Sequence, residues 1–366
     1  MPKPNVFFIA VMIAASLAPV MAAQHLSVVA PEATAKKIQA GFDTTEGPAV
    51  DADGNVYFTD KGSETIYKWT WADNKIVAHR KVEGGAIGSA FDAGGRLLVA
   101  EKGTGGNGRI TADDLNGHVS VLADSIDGRK LILPNTVWVD SRGGIYFTEW
   151  SSGGGPPAGG GQGGQAMAPG GGAAPPGGGQ PGSAPSGGAP GGGQSGQAMA
   201  PAGGSPGGSM TTDKRTGIDY IDPRSGKVSR AVELSGAHKV AVTPDGKRLY
   251  ASGTGDTIYT YSINADHTAS GQEVFCKEHC EDLKFTDGIV IDEKGNVYTI
   301  SDKIFVYNPQ GFKIEEIDLP EHSRNIRFAG KDRKTLFICG TNSVYTLEMA
   351  VKGPPSALDL ARSSGK

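Results

Sequence analysis

Short runs of alternating or β-branched apolar residues, broken by Asp, Asn and Gly, cover most of the chain, and their period is that of strands. One unit recurs: an apolar strand, a turn built on Asp and Gly, and a second apolar strand. It reads EGPAVDADGNVYFTD from Glu46, IGSAFDAGGRLLVAE from Ile87 and NTVWVDSRGGIYFTE from Asn135. It returns as HKVAVTPDGKRLYAS from His238, DGIVIDEKGNVYTIS from Asp287 and, more loosely, NIRFAGKDRKTLFICG from Asn325. Five copies place a Gly at the turn (Gly54, Gly95, Gly143, Gly246, Gly295), where a tight hairpin wants positive φ. Arg333 stands there in the sixth copy and predicts a different turn. One or two further strands follow each pair, as IVAHRKV follows TIYKW. Four antiparallel strands repeated six times predict an all-β chain, a single six-bladed β-propeller. The last copy runs out of chain after SVYTLEM, so a strand from within Leu26 to Gln39 is expected to complete that blade and close the ring.

The repeats begin 38 to 49 residues apart, except for a step of 103 between the third and fourth. Residues 151–210 account for the excess. They contain only Gly, Pro, Ala, Ser, Gln and Met, with GQAMAP occurring twice, and without these 60 residues the long step shrinks to 43. Such a segment cannot bury enough apolar surface to offset its chain entropy and is expected to be disordered. It is an insertion between the second and third strands of blade three, on the face where the six repeat starts converge, and not a boundary between domains.

Composition adds a compartment and removes some partners. At the N-terminus, Lys3 precedes the uncharged apolar run Val6 to Val20 and the small-residue pattern Val20-Met21-Ala22, which reads as a secretory signal over residues 1–23. The propeller then occupies 24–366, and a secreted or periplasmic monomer is expected. The apolar run is short for a membrane span. The formal charge of −4, with no basic run, argues against nucleic acid. Cys276 and Cys280 flank Lys-Glu-His in FCKEHCEDL; a local disulfide is the expectation in an exported chain, with a metal clip the alternative. Cys339 reads as a buried small hydrophobe. No nucleophile elbow or dinucleotide fingerprint stands in a strand-turn-helix setting, so serine-hydrolase and nicotinamide chemistries are set aside.

The repeat register places Glu46, Ile87, Asn135, His238, Asp287 and Asn325 around one mouth of the central channel. Two carboxylates facing one small volume repel each other, and a bound cation removes that cost. Hard oxygen donors suit Ca²⁺ or Mg²⁺, whereas an imidazole suits Zn²⁺, Mn²⁺ or Fe²⁺. The alternative is a water-filled mouth of hydrogen-bonded polar groups. Asp60, Glu101 and Glu149 end second strands on the same face and are expected to be solvated, with support of the site residues the alternative. His322 and Arg324, ahead of the sixth repeat, read as loop residues, with reach to the mouth the alternative.

The EGPAVD start, LPNTVWVDSRGGIYFTE, the SGA-x-x-VAVTPDGKRLY stretch and TDGIVIDEKGNVY together resemble the gluconolactonase and regucalcin (senescence marker protein) family over nearly the whole mature chain apart from the insertion. That resemblance implies a six-bladed, metal-dependent lactonase acting on a small molecule, with Glu46 and Asp287 as ligands of one divalent ion. It also implies that Asp287 moves a proton and that Asn135 lies at the metal or substrate. The family's third protein ligand is an Asn in a PNG-like turn; His238, followed by Lys239, stands there, so Ca²⁺ is implied by family and Zn²⁺ or Mn²⁺ by the imidazole. Leu133 replaces an Arg that contacts substrate in regucalcin-like members. Two rival readings keep the same ring: a non-catalytic propeller similar to NHL-repeat proteins that binds a ligand or protein on this face, and a strictosidine-synthase-like propeller.

Overall fold

A computed structural model describes residues 27–149, 216–277 and 286–364. The expected signal segment and the glycine-rich stretch 151–210 lie outside the described residues. The first strand in the chain, β1 (Lys36–Ala40), belongs to the last blade. Blade one is β2 (Thr45–Val50), β3 (Val56–Asp60), β4 (Thr65–Thr70) and β5 (Lys75–Lys81). Blade two is β6 (Ala86–Phe91), β7 (Leu97–Glu101), β8 (Arg109–Asp113) and β9 (Val119–Ala123). A two-stranded ribbon, β10 (Ser125–Ile126) and β11 (Arg129–Lys130), leads into blade three. That blade is β12 (Pro134–Val139), β13 (Ile145–Glu149), β14 (Gly217–Ile221) and β15 (Val228–Glu233). Blade four is β16 (Val240–Val242), β17 (Arg248–Ser252), β18 (Ile258–Ile263) and β19 (Ala269–Val274). Blade five is β20 (Gly288–Ile291), β21 (Val297–Ile300), β22 (Lys303–Tyr307) and β23 (Lys313–Asp318). Blade six is β24 (Ser323–Ala329), β25 (Thr335–Gly340) and β26 (Ser343–Glu348), completed by β1.

Each blade is therefore a four-stranded antiparallel sheet, as the repeat predicts. Closure is by the N-terminal strand: Lys36 pairs with Thr346 and Ala40 with Ser343, one residue beyond the stretch expected from sequence. In blade three Glu149 lies directly opposite Gly217, so residues 150–215 leave between the second and third strands. The short helix α1 (Ala357–Ser363) follows the ring and starts in a capping box between Ser356 and Asp359.

The hairpin turns explain why the repeat is so regular. Asp51, Asp92, Asp140 and Asp292 each accept backbone N–H bonds from residues two and four further on, through one carboxylate oxygen. An Asp side chain that mimics a backbone turn in this way fixes the reversal without help from packing. The sixth turn does not differ as expected. Arg333 takes φ +58°, close to the +67 to +87° of the five equivalent glycines, and its N–H bonds Gly330 O as Gly54 N–H bonds Asp51 O. Its left-handed backbone carries a side chain that reaches Asp359 of α1 at 3.6 Å.

The innermost strands carry the buried apolar faces between blades, so the core runs as a series of clusters around the ring. Tyr146, Tyr250, Tyr298 and Tyr307, with Phe58, Phe147 and Phe337, are the bulkiest wholly buried members.

Candidate functional site

The six repeat starts do converge. Glu46 and Asn325 lie within β2 and β24, Ile87 and Asn135 within β6 and β12, and His238 and Asp287 just ahead of β16 and β20. Strand pairing slips at four of these starts, between Glu46 and Ala49, Ala86 and Ser89, Pro134 and Val137, and Ser323 and Asn325. Such bulges re-aim side chains at a sheet edge. Close approach of neighbouring blades sets the backbone here. A Cβ on Gly47 would fall 1.9 Å from Ile87 O, and one on Gly88 2.2 Å from Asn135 O.

Glu46, Asn135 and Asp287 are all buried. Glu46 Oε1 lies 3.7 Å from Lys61 Nζ, and its Oε2 has no hydrogen-bond donor. Buried Lys239 ends 3.8 Å from that Oε2 and donates to Asn135 Oδ1 at 3.3 Å. Asp287 Oδ2 lies 3.4 Å from His322 Nε2. Burial alone would raise the Asp287 carboxyl, but His322 and the charges of Lys239 and Arg324 outweigh it and hold the group below the usual carboxylate range. The same contact lifts His322 above the ordinary imidazole value against the opposing effect of burial. Desolvation, with the Lys239 charge second, pushes His238 down to about 3, so this half-buried imidazole is neutral. Its backbone carbonyl accepts from Thr136 Oγ1 and Thr148 Oγ1 at 3.0 and 2.9 Å. Asn325 turns its Oδ1 back onto the N–H of Ile326. Ile87 makes the blade-two side apolar.

The arrangement joins Glu46, Asn135 and Lys239 by direct contacts and places the charge of Asp287 within reach of Lys239. His238 is beside them. Asn325 shares with Lys239 the lining of a small cavity beneath the mouth. His322 and Arg324 are more than loop residues: the first touches Asp287 and the second lies on β24.

The sequence marks Lys239 without giving it a role, and Lys61 carries no signal there. The signal was a charged residue immediately after a ring position, where blades one, two and five have Gly47, Gly88 and Gly288. Cys276 is disulfide-bonded, while its expected partner Cys280 lies outside the described residues. Cys339 is a free, wholly buried thiol, as expected, and burial, with the nearby Glu46 charge adding to it, raises its pKa well above the ordinary value.

Asp60, Glu101 and Glu149 are not solvated. Asp60 accepts the backbone N–H of Asp43 at 2.8 Å. Glu101 binds Arg80, Arg109 and Thr111 at 2.8 to 2.9 Å, and Glu149 binds Arg129 at 2.6 Å. Glu101 and Glu149 face arginines of the same blade, the adjacent blade or the β10–β11 ribbon, and burial without those partners would be costly.

The fit of a divalent ion can be tested on these contacts. The undonated Glu46 Oε2 asks for a cation, but the nearest positive group is the Lys239 ammonium, which also engages Asn135. Placing a dication about 4 Å from an ammonium adds a repulsion on the order of 8 kcal/mol at an effective dielectric constant of 20. Among the described residues no three His, Cys, Asp or Glu side chains are gathered closely enough to hold an ion. The donor set as arranged does not fit a divalent metal while Lys239 is in place.

Residues 44–168 and 199–342 match the family described as SMP-30/gluconolactonase/LRE-like region. Three solved structures share the fold. A structural-genomics gluconolactonase candidate is 21% identical, with 90% of this chain and 96% of that one covered and a TM-score of 0.66. A gluconolactonase from Xanthomonas campestris is 20% identical, with 88% and 91% covered and a TM-score of 0.65. The calcium-binding protein regucalcin from Agrobacterium tumefaciens is 13% identical, with 88% and 95% covered and a TM-score of 0.61. The chain belongs to the SMP-30/gluconolactonase/LRE-like family.

Proposed function

We propose that this family member is an exported, gluconolactonase-like hydrolase that opens a lactone or a related small carboxylic ester at the mouth formed by Glu46, Asn135, Lys239 and Asp287. The observation that carries the reading is the burial of Asp287 in ionised form beside Lys239 and His322, at the mouth that also holds Glu46 and Asn135. A scaffold has no need to concentrate titratable groups there.

Asp287 is the acceptor for a proton of the attacking water. Its depressed pKa makes it a modest base, so its main contribution is to orient that water, and His322 fixes the carboxylate in turn. Asn135 positions the substrate by its amide, and the apolar blade-two side at Ile87 receives its carbon skeleton. Polyol recognition by an Arg ahead of Asn135 is absent, since Leu133 stands there; this supports a less hydroxylated substrate. Export rests on Lys3 and the Val6 to Val20 run, and among the described residues no helix is long and apolar enough to cross a membrane.

The test is a pH-stat assay of the purified chain on a panel of five- and six-membered lactones and aryl esters, with Asp287→Asn as the control. Hydrolysis lost in the variant supports the reading. A wild type inert on the whole panel, with and without added Ca²⁺, Mn²⁺ or Zn²⁺, overturns it in favour of a propeller that binds without turnover.

A further inference from the structure

Of the six residues that follow a ring position, blade four's is the charged one. After the ring residue, blades one, two and five present bare backbone at Gly47, Gly88 and Gly288, where neighbouring backbone or Asn325 leaves little or no room for a side chain. Blade four presents Lys239, 2% exposed, whose chain runs into the mouth. Its backbone is clamped by two exchanges with Ser252: Lys239 N–H to Ser252 Oγ at 3.0 Å, and Ser252 N–H to Lys239 O at 3.1 Å. A four-carbon stem anchored at that point delivers its ammonium to Asn135 Oδ1 at 3.3 Å and towards Glu46 Oε2 at 3.8 Å. That Glu46 oxygen is buried and has no hydrogen-bond donor, so the ammonium meets it by charge alone. A lysine buried to this degree is uncommon unless paired.

We infer that the Lys239 ammonium is a cation built into the chain, lying where Glu46 and Asn135 would otherwise offer oxygens to a divalent ion, and that it serves the ester substrate's carbonyl oxygen directly. The assignment of that oxygen rests on the lactonase reading above; the displacement of the ion does not. A lysine supplies a compact positive charge with three donors. Asn135 accepts from one of them and Glu46 lies nearby without a hydrogen bond, and a remaining donor serves the substrate.

The chemistry balances without an external ion. Water attacks the carbonyl carbon, forming a C–O bond as its proton passes to Asp287, and the carbonyl π pair moves onto oxygen, where the ammonium meets the new negative charge. Collapse of the tetrahedral species breaks the C–O bond to the ring oxygen, which takes the proton back from Asp287.

The deciding measurement is calorimetric titration of chelator-treated wild-type protein with Ca²⁺ and with Mn²⁺, backed by elemental analysis, and it needs no variant. Expected is no stoichiometric uptake of either ion up to about 1 mM, the weak end of protein calcium sites, together with hydrolysis unchanged by chelator. Uptake of one equivalent that Glu46→Gln abolishes overturns the inference while leaving the lactonase reading intact. No uptake and no hydrolysis has the reverse effect: the built-in cation stands and the lactonase reading falls. Removing the ammonium by Lys239→Gly is expected to tighten binding of one ion at least tenfold. A folded Lys239→Gly variant that binds neither ion would also overturn the inference, because the ammonium would then not be what keeps an ion away.

Discussion

Glu101 and Glu46 are both buried acids at the same face of adjacent blades, and they are satisfied in opposite ways. Glu101 has both oxygens filled, by Arg80, Arg109 and Thr111, all within 2.9 Å. Glu46 has two lysines at 3.7 and 3.8 Å and one oxygen with no hydrogen-bond donor. Guanidinium groups held by short hydrogen bonds fill both oxygens of the carboxylate and leave little room for another partner. Loosely held ammonium groups cancel the charge and leave acceptor positions open. The outer acids are built for stability, and the axial acids for a visitor.

The widest separation between the two sets should appear on changing Asp287 to Asn. Activity on a competent ester should fall by about 10²- to 10⁴-fold, the range for losing a group that handles the proton. The unfolding midpoint should barely move, which a parallel thermal melt checks. Arg80→Ala should do the reverse. It strips partners from Glu101 and Asp113 together, and denaturant titration should show a loss of about 3–5 kcal/mol, as for other broken buried pairs. Equal effects on activity and stability from either change would erase the contrast.

Gly47→Ala tests whether the mouth tolerates a shift. The added methyl meets Ile87 O and a φ of +55°, so a loss on the order of 1–3 kcal/mol is expected, with any surviving enzyme impaired in kcat as the Glu46 carboxylate moves.

The smallest effects lie in the pH dependence, and their signs differ between the sets. Burial would raise Asp113, but the Leu115 N–H, His79 and Arg80 together hold it below its ordinary value. Its stabilising effect is therefore present above the unfolded value near 3.8 and is lost as pH falls through the folded one. His322 is raised by Asp287, so its contribution is present below 6.5 and is lost as pH rises through the higher folded value. Urea midpoints across pH 2 to 9 should show both limbs, the acid one flattened in Asp113→Asn and the neutral one in His322→Gln. A neutral limb surviving in His322→Gln would take that contact out of the account.

The ring was readable because the Asp–Gly hairpin is written by local chemistry and repeats at blade spacing. The turn at Arg333 was misjudged because positive φ favours glycine without demanding it. The arginine pairs were invisible for a different reason: Arg80 lies on the outer strand of blade one and Glu101 on blade two, and a single repeat carries no record of which side chains meet across a blade boundary. Parity concealed Lys239. Alternation assigns one inward residue to each neighbouring pair, and His238 was the one chosen, but bulged strand starts around the mouth weaken that rule where it is most needed.

The seam between β1 and β26 also imposes an order of events on the growing polypeptide. Lys36 leaves the ribosome early, yet its partner Thr346 is added near the end; at about 5–20 residues per second the wait is on the order of tens of seconds. Throughout that interval β1 has no partner strand, and blade six is left with an open outer edge until the last strands are made. A nonsense codon anywhere before Ser343 would leave both halves of the seam permanently unmatched, so prematurely terminated chains should be insoluble even when they retain every residue of the mouth from Glu46 to Asn325.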